Sequence, residues 1–248
     1  MAPAKMAPML TPPHLPDAPG WLLDELARAG KENLDADHVA RYDLKEDAGA
    51  TAEVALLQRL GLDHTSLVVE LGTGTGQFAM AVAPYCERVV AVDISPPMLS
   101  RLRDKAAQGP TARLKVVQAG FLSYDHKERP ADIVYSRYAL HHLPDFWKAV
   151  ALARVHTILR TGGVFRLWDV VYNFEPSQAQ TAVEAWCSSG GSSPGEEWTR
   201  AELEEHVREE HSTYTWLLEA MIERTGFAIE DAEYSDNHIF AKYVLRRL

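Results

Sequence analysis

The chain has 248 residues, 46% hydrophobic and 24% charged, the balance of a globular domain rather than a disordered polyelectrolyte or a fibrous repeat. Lys plus Arg number 25 against 35 for Asp plus Glu, and a formal net charge of −10 argues against a broad nucleic-acid surface. The only cysteines are Cys86 and Cys187, with no C-x-x-C, which excludes a zinc ribbon or redox dithiol and favours two buried thiols over a lone disulfide.

Six of the 14 prolines fall in the first twenty residues, where they interrupt any apolar centre of a signal peptide. No apolar run reaches the ~20 residues of a membrane span. Residues 1–20 therefore read as a flexible Pro-rich tail and the protein as cytoplasmic. Trp21–Ala29 is predicted as a short amphipathic helix stopped at Gly30, and Thr51–Leu60 as a second ended by Gly61. Residues 21–61 thus form an N-terminal helical piece, ahead of the main domain at 62–248.

From Ser66 the texture changes. Apolar runs rich in β-branched residues occupy Ser66–Leu71, Arg88–Asp93, Arg113–Gln118, Ala131–Ser136 and Val164–Val171, with helical stretches between them. Ser95-Pro96 caps one such helix and Gly109-Pro110 ends it. Pro144 opens another, which Gly162-Gly163 stops. Strand and helix alternating in this way predict a parallel sheet covered on both faces.

Beyond Val171 the rhythm breaks. The loop Cys187–Glu197 is rich in Gly and Ser, and Thr199-Arg200-Ala201-Glu202 fits a capping box that starts one or two helices reaching Arg224. Phe227–Tyr234 and Ile239–Arg246, joined at Ser235–His238, look like an antiparallel hairpin that closes the sheet. The insert of about 173–224 is expected to be a helical lid.

The most informative stretch is Val68-Val69-Glu70-Leu71-Gly72-Thr73-Gly74-Thr75-Gly76. A strand runs into three alternating glycines, which permit a sharp bend and close approach of a ligand to the backbone. Seventeen residues later a second strand ends in Asp93, placed to accept hydrogen bonds from ribose hydroxyls. A dinucleotide site prefers G-x-G-x-x-G, but position 77 is Gln. Glu70 would repel a pyrophosphate and attract a ligand bearing ammonium and sulfonium groups. S-adenosylmethionine (SAM) is such a ligand, and the pattern favours it over a nicotinamide dinucleotide.

VVELGTGTG, VVAVD, ADIVYSRYALHHLP and LRTGGVFRLWDVV together resemble the successive motifs of class I SAM-dependent methyltransferases, over about residues 40 to 247. The resemblance implies an α/β, Rossmann-like sheet of seven strands in order 3-2-1-4-5-7-6, strand 7 antiparallel. It implies that Glu70 orients the methionine ammonium while Gly72, Thr73 and Gly74 pass beneath the methionine and ribose. Asp93 would hold the ribose hydroxyls, and Ile94 and Met98 would pack on the adenine. Ser136 and Arg137 would offer backbone atoms to the amino-acid end, and Tyr42 resembles the aromatic that closes over the cofactor. Two places depart from the pattern. Ala119-Gly120-Phe121 lacks the acid that often receives the adenine amino group, which leaves that task to backbone at Gly120 and Phe121 or to Asp125. Thr161 replaces a turn proline.

Aligning acceptor and methyl can supply roughly 7–11 kcal/mol of the barrier, whereas a general base adds ~10²–10⁴ in rate, so positioning is the larger effect. His141 is the candidate base in Ser136–His142, a loop that should border the acceptor, while His142 reads as structural. Tyr138, Trp168, Tyr172 and Tyr214 are candidate walls of the acceptor pocket, although for Tyr214 a helix's buried face is the favoured reading. Arg137 and Arg166 are either anchors for an acceptor carboxylate or ordinary ion-pair residues. His206 and His211 lie five apart on an acidic segment, a spacing that suits a solvated face, so no metal is expected. The resulting expectation is a SAM-dependent methyltransferase acting on a small molecule at oxygen, nitrogen or carbon, with no nucleic-acid or membrane partner. A SAM-binding partner or regulatory protein without transferase activity is the alternative, and a nicotinamide oxidoreductase the third reading.

Overall fold

The computed structural model describes residues 19–46, 48–108, 112–192 and 197–248. Most of the expected Pro-rich tail, Gly109-Pro110 and part of the Gly/Ser loop lie outside these residues. The chain forms α1 (Ala36–Lys45), α2 (Ala50–Arg59), β1 (Leu67–Leu71), α3 (Gln77–Val82), β2 (Arg88–Asp93) and α4 (Pro96–Ala106). It continues through β3 (Leu114–Gln118), β4 (Ala131–Arg137), α5 (Asp145–Ile158), β5 (Leu159–Tyr172), α6 (Ala179–Ser188) and α7 (Arg200–Glu209). The last elements are β6 (Thr213–Tyr214), α8 (Thr215–Arg224), β7 (Phe227–Tyr234) and β8 (Phe240–Arg247).

The main sheet runs β3-β2-β1-β4-β5-β8-β7, and the two-residue β6 pairs with the end of β5 off this path. With β6 set aside, this is the expected order, and β8 lies antiparallel to both neighbours. The strands read as continuous apolar runs because both faces are covered. Leu67, Val69 and Leu71 of β1 enter one core with α5 and α8, while Val68 enters the other with α2, α3 and α4. The same alternation holds along β2, where Val90 and Val92 face one core and Val89 and Ala91 the other.

Three local expectations need correction. Trp21–Ala29 is not an α-helix: only Leu26–Arg28 makes a short 3₁₀ turn. Tertiary contacts override the apolar period, since Trp21 stacks on Trp147 at 6.2 Å and Glu25 is tied to the loop after β3. The helix α1 was not foreseen, because Val39 is its only buried residue, although Asp35 caps it by accepting from His38 N at 2.8 Å. Finally, α5 ends at Ile158 rather than at the glycine pair. Ala131 pairs with Leu159 and Ile133 with Val164, so Arg160–Gly163 form an irregularity within β5. The capping box at Thr199 and Glu202 is present. Cys86 and Cys187 are both free and buried, and no described helix is long and apolar enough to cross a membrane.

Candidate active site

β1 delivers the chain to Gly72, Gly74 and Gly76, whose φ angles are 76°, 53° and 81°. A Cβ on Gly72 would lie 2.2 Å from that of Ala139, so the turns after β1 and β4 nest only because a hydrogen stands there. Gly72 N and Thr73 N donate to Val92 O at 2.9 and 3.0 Å, which binds the bend to the end of β2. Asp93 then receives Gly74 N on Oδ2 at 2.7 Å and Ser95 N on Oδ1 at 2.8 Å. Glu70 is buried below the bend and accepts from Thr73 Oγ1 at 2.6 Å. Burial, reinforced by the charge of Asp93 against the hydroxyl bond, pushes the Glu70 carboxyl up to about 8.

A crevice of about 90 Å³ opens above this turn. It brings together Tyr42, Gly72, Gly74, Asp93, Ile94, Met98, Gly120, Phe121 and Arg137 of the residues picked out in the sequence. Glu70, Thr73 and Ser136 do not line it and are buried. Ser136 Oγ has no hydrogen-bond partner among the described residues. Asp125 does not line it either; its side chain is 72% exposed and pairs with Lys127.

The crevice also gains residues that the motifs did not indicate. The Glu25 carboxylate accepts from Leu122 N and Ser123 N, each at 3.0 Å, and from Ser123 Oγ at 2.8 Å. A Cβ on Gly120 would meet Glu25 Oε1 at 2.2 Å, so an acid from the N-terminal segment stands beside the loop that lacks one of its own. Burial raises its pKa against those three hydrogen bonds. Asn33 O accepts from Ser95 Oγ at 2.5 Å. No local pattern announces either contact, because both depend on the segment folding back across the sheet's carboxyl edge.

Asn33, Tyr42, Tyr138 and His142 are common to the crevice and a larger chamber of about 720 Å³. Tyr138 holds φ at 50°, a left-handed conformation costly for an aromatic residue and characteristic of functional turns. The chamber's aromatic walls include Trp186, Trp198 and Phe240. Its carboxylates Glu32, Glu46, Glu197, Glu202, Glu205 and Glu210 outnumber Lys31 and Lys45. Some are paired: Lys45 meets Glu202 at 2.6 Å, and Glu46 accepts from Arg137 Nη2 at 3.0 Å and Trp198 Nε1 at 2.6 Å.

A histidine cluster forms part of the chamber wall. His141 and His142 sit on a 3₁₀ turn after β4. Asp169 of β5 accepts His141 Nδ1 on Oδ1 at 2.5 Å, His141 N on Oδ2 at 3.1 Å, and Val170 N on Oδ1 at 2.8 Å. An acceptor-only carboxylate leaves the proton on Nδ1 and the lone pair on Nε2. His142 Nδ1 meets Glu210 Oε2 at 2.6 Å. Burial opposes a charge on His142, but Glu210's hydrogen bond and charge outweigh it, and the pKa is raised. His206 faces the chamber instead of forming a solvated surface; burial and the neighbouring His141 push it down to about 3.

Three proposed wall residues are placed elsewhere. Trp168 lines neither cavity and lies between Arg137, 4.5 Å from its ring centroid, and Lys242 at 3.9 Å. Tyr172 and Tyr214 also line neither; with Phe174 and Trp216 they build a separate aromatic cluster. Arg166 is 1% exposed and held bidentately by Glu53 at 2.8 and 3.0 Å, which makes it an internal ion-pair residue.

The model of a methyltransferase domain family matches residues 68–163, from the strand of the glycine turn to the glycines of β5. The chain carries a class I SAM-dependent methyltransferase domain. Among curated relatives, an uncharacterized methyltransferase of Geobacillus kaustophilus is 31% identical over 48% of this chain and 54% of its own length. Another from Geobacillus thermodenitrificans is 28% identical over 67% and 71%. The matched stretch thus spans about half the length of the first of these relatives. Among solved structures, a SAM-dependent methyltransferase from Mesorhizobium loti superposes with a TM-score of 0.59 at 22% identity, covering 80% of this chain and 99% of that one. The N-methyltransferase NodS of Bradyrhizobium japonicum, solved with S-adenosyl-l-homocysteine, gives 0.60 at 14% identity over 90% and 98%. These structures share the methyltransferase fold, and SAM is the cofactor of this domain class.

Proposed function

We propose that this methyltransferase transfers the methyl group of SAM to a small-molecule acceptor seated in the 720 Å³ chamber. The observation that carries the reading is the shared wall of Asn33, Tyr42, Tyr138 and His142, which makes the chamber the immediate neighbour of the cofactor crevice. Bound SAM supplies an electrophilic methyl group and a sulfide leaving group.

The donor set suits that cofactor. Glu70 offers a carboxyl for an ammonium group, and the glycine bend leaves room that a Cβ would take. Asp93, fixed by Gly74 N and Ser95 N, keeps acceptor capacity for ribose hydroxyls. Ile94 and Met98 give the crevice an apolar wall for adenine, alongside Gly120 and Phe121. Arg137 and Ser136 border the amino-acid end. A crevice of about 90 Å³ falls below the roughly 300–1,000 Å³ of ligand pockets, so the segment over it swings aside when the cofactor enters. Residues 21–61 act as this cover, and the insert around 173–224 encloses the chamber through Trp186, Trp198 and Glu210.

The chamber falls within the small-molecule range, and its carboxylate excess disfavours polyanionic acceptors, including nucleic acid. Tyr138 walls the acceptor, and His141, oriented by Asp169, is the residue through which the protein acts on it. The two free buried thiols suit a cytoplasmic location. Incubating the protein with methyl-tritiated SAM and fractionated metabolites tests the reading: label should pass to a small molecule. Tight SAM binding without labelled product across all fractions would instead support the binding-protein alternative.

A further inference from the structure

We propose that His141, His142 and Glu210 hold a divalent transition-metal ion in the chamber wall, and that the acceptor coordinates it through a hydroxyl. The inference rests on the reading of the chamber as the acceptor site. One ligand atom from each residue lies within 4.8 Å of the others. Two imidazoles and a carboxylate form a donor set suited to zinc, iron(II) or manganese(II), and three protein ligands leave open positions. Bonds of about 2.0–2.2 Å need the ligand atoms drawn in by roughly an ångström, a matter of side-chain rotation. The 2.6 Å bond between His142 Nδ1 and Glu210 opens to admit the ion.

Four further observations support the set. Asp169 fixes His141 with Nε2 as its free lone pair, the carboxylate–imidazole arrangement that orients metal-bound histidines. His211 N donates to His141 O at 2.9 Å, which locks the end of α7, and with it Glu210, against the histidine turn. Chamber carboxylates outnumber its lysines, so the local field favours a cation. His142 lines both cavities, which puts the site where acceptor and cofactor meet. His206 lies 5.0 Å from His141 between ring centroids but is left out of the set, because its Nε2 is engaged by Ser212 Oγ at 2.9 Å. No metal spacing is visible along the chain because the set draws on a turn and a helix end 68 residues apart.

At such an ion the acceptor's O–H bond breaks, the electron pair stays on oxygen and the proton passes to a solvent water. The resulting oxyanion is the nucleophile for the methyl group, which narrows the acceptor to an alcohol or phenol.

The test uses tag-free, full-length protein, stripped with a chelator and titrated with Co²⁺ as a spectroscopic probe. We expect one equivalent to bind with visible d–d bands, and Zn²⁺ to displace it. Glu210→Gln and His142→Ala should abolish the bands, and Asp169→Asn should weaken Co²⁺ affinity about 10–100-fold. Far-UV circular dichroism and the thermal midpoint of each variant report folding. Wild-type protein that binds SAM yet takes up no stoichiometric Co²⁺ or Zn²⁺ overturns the metal site alone. So does a Glu210→Gln or His142→Ala variant that binds Co²⁺ like wild type. Wild-type protein that binds no SAM overturns the methyltransferase reading instead.

Discussion

Glu25 accepts both the backbone N–H and the hydroxyl of Ser123, 98 residues further along the chain. Together with Leu122 N, these bonds pin the N-terminal segment over the crevice.

Removing that pin should loosen the cover without unfolding the domain. Glu25→Ala leaves two backbone donors unpaired, a cost of about 1–3 kcal/mol borne by the closed state. We expect faster SAM dissociation in stopped-flow experiments and faster amide exchange at Leu122 and Ser123. Unchanged rates would separate the cover from cofactor retention.

Glu70, raised to about 8, is mostly protonated at pH 7 in the folded chain and ionises against a cationic ligand. SAM binding near pH 7 should therefore release close to one proton, read from calorimetry in buffers of different ionisation enthalpy. Glu70→Gln should abolish the release and weaken binding. Without ligand, the unfolded chain ionises Glu70 first as pH rises from its ordinary value of 4.5, so this residue's contribution makes stability fall until about pH 8. Denaturant midpoints across that window should fall less in Glu70→Gln than in wild type.

The glycines of the bend are not equivalent. Gly72→Ala meets the Ala139 Cβ at 2.2 Å as well as a positive φ, and should cost several kcal/mol together with SAM binding. Gly74→Ala has Met98 Sδ as its nearest neighbour at 3.9 Å, so only the backbone penalty of about 1–2 kcal/mol applies. Pairing Gly72→Ala with Ala139→Gly should recover the steric part. Equal denaturation midpoints for the two single variants would contradict this.

Arg166 and Glu53 form a bidentate pair inside the fold. Glu53→Ala strands the guanidinium and should destabilise by about 3–5 kcal/mol, whereas replacing both partners with apolar residues of similar volume should be close to neutral. Equilibrium unfolding of the single and double variants checks the difference.

The proposed cofactor crevice was legible in the sequence because its geometry is local. Gly72, Gly74 and Asp93 belong to strand–turn–helix units whose pattern also dictates their geometry. The proposed acceptor chamber was not. His142 meets Glu210 only because α7 ends beside the histidine turn, and Glu25 reaches Gly120 only through the fold-back of a segment whose apolar period suggests a helix that it does not form. Trp168 and Tyr172 were placed correctly on the sheet's carboxyl end, but strand position alone does not say which cavity a side chain enters. Their neighbours decide that: Lys242 covers Trp168, and Phe174 packs on Tyr172.

Glu32, Asn33, Tyr42, Lys45 and Glu46 all belong to the stretch that roofs the crevice, yet they also enclose the chamber. If that stretch swings aside for the cofactor, as proposed, the second compartment is whole only once it has swung back. The proposed arrangement would then impose a compulsory sequence of arrivals: nucleoside first, acceptor second, with departures in reverse. Demethylated cofactor should accordingly inhibit competitively against SAM and non-competitively against the acceptor.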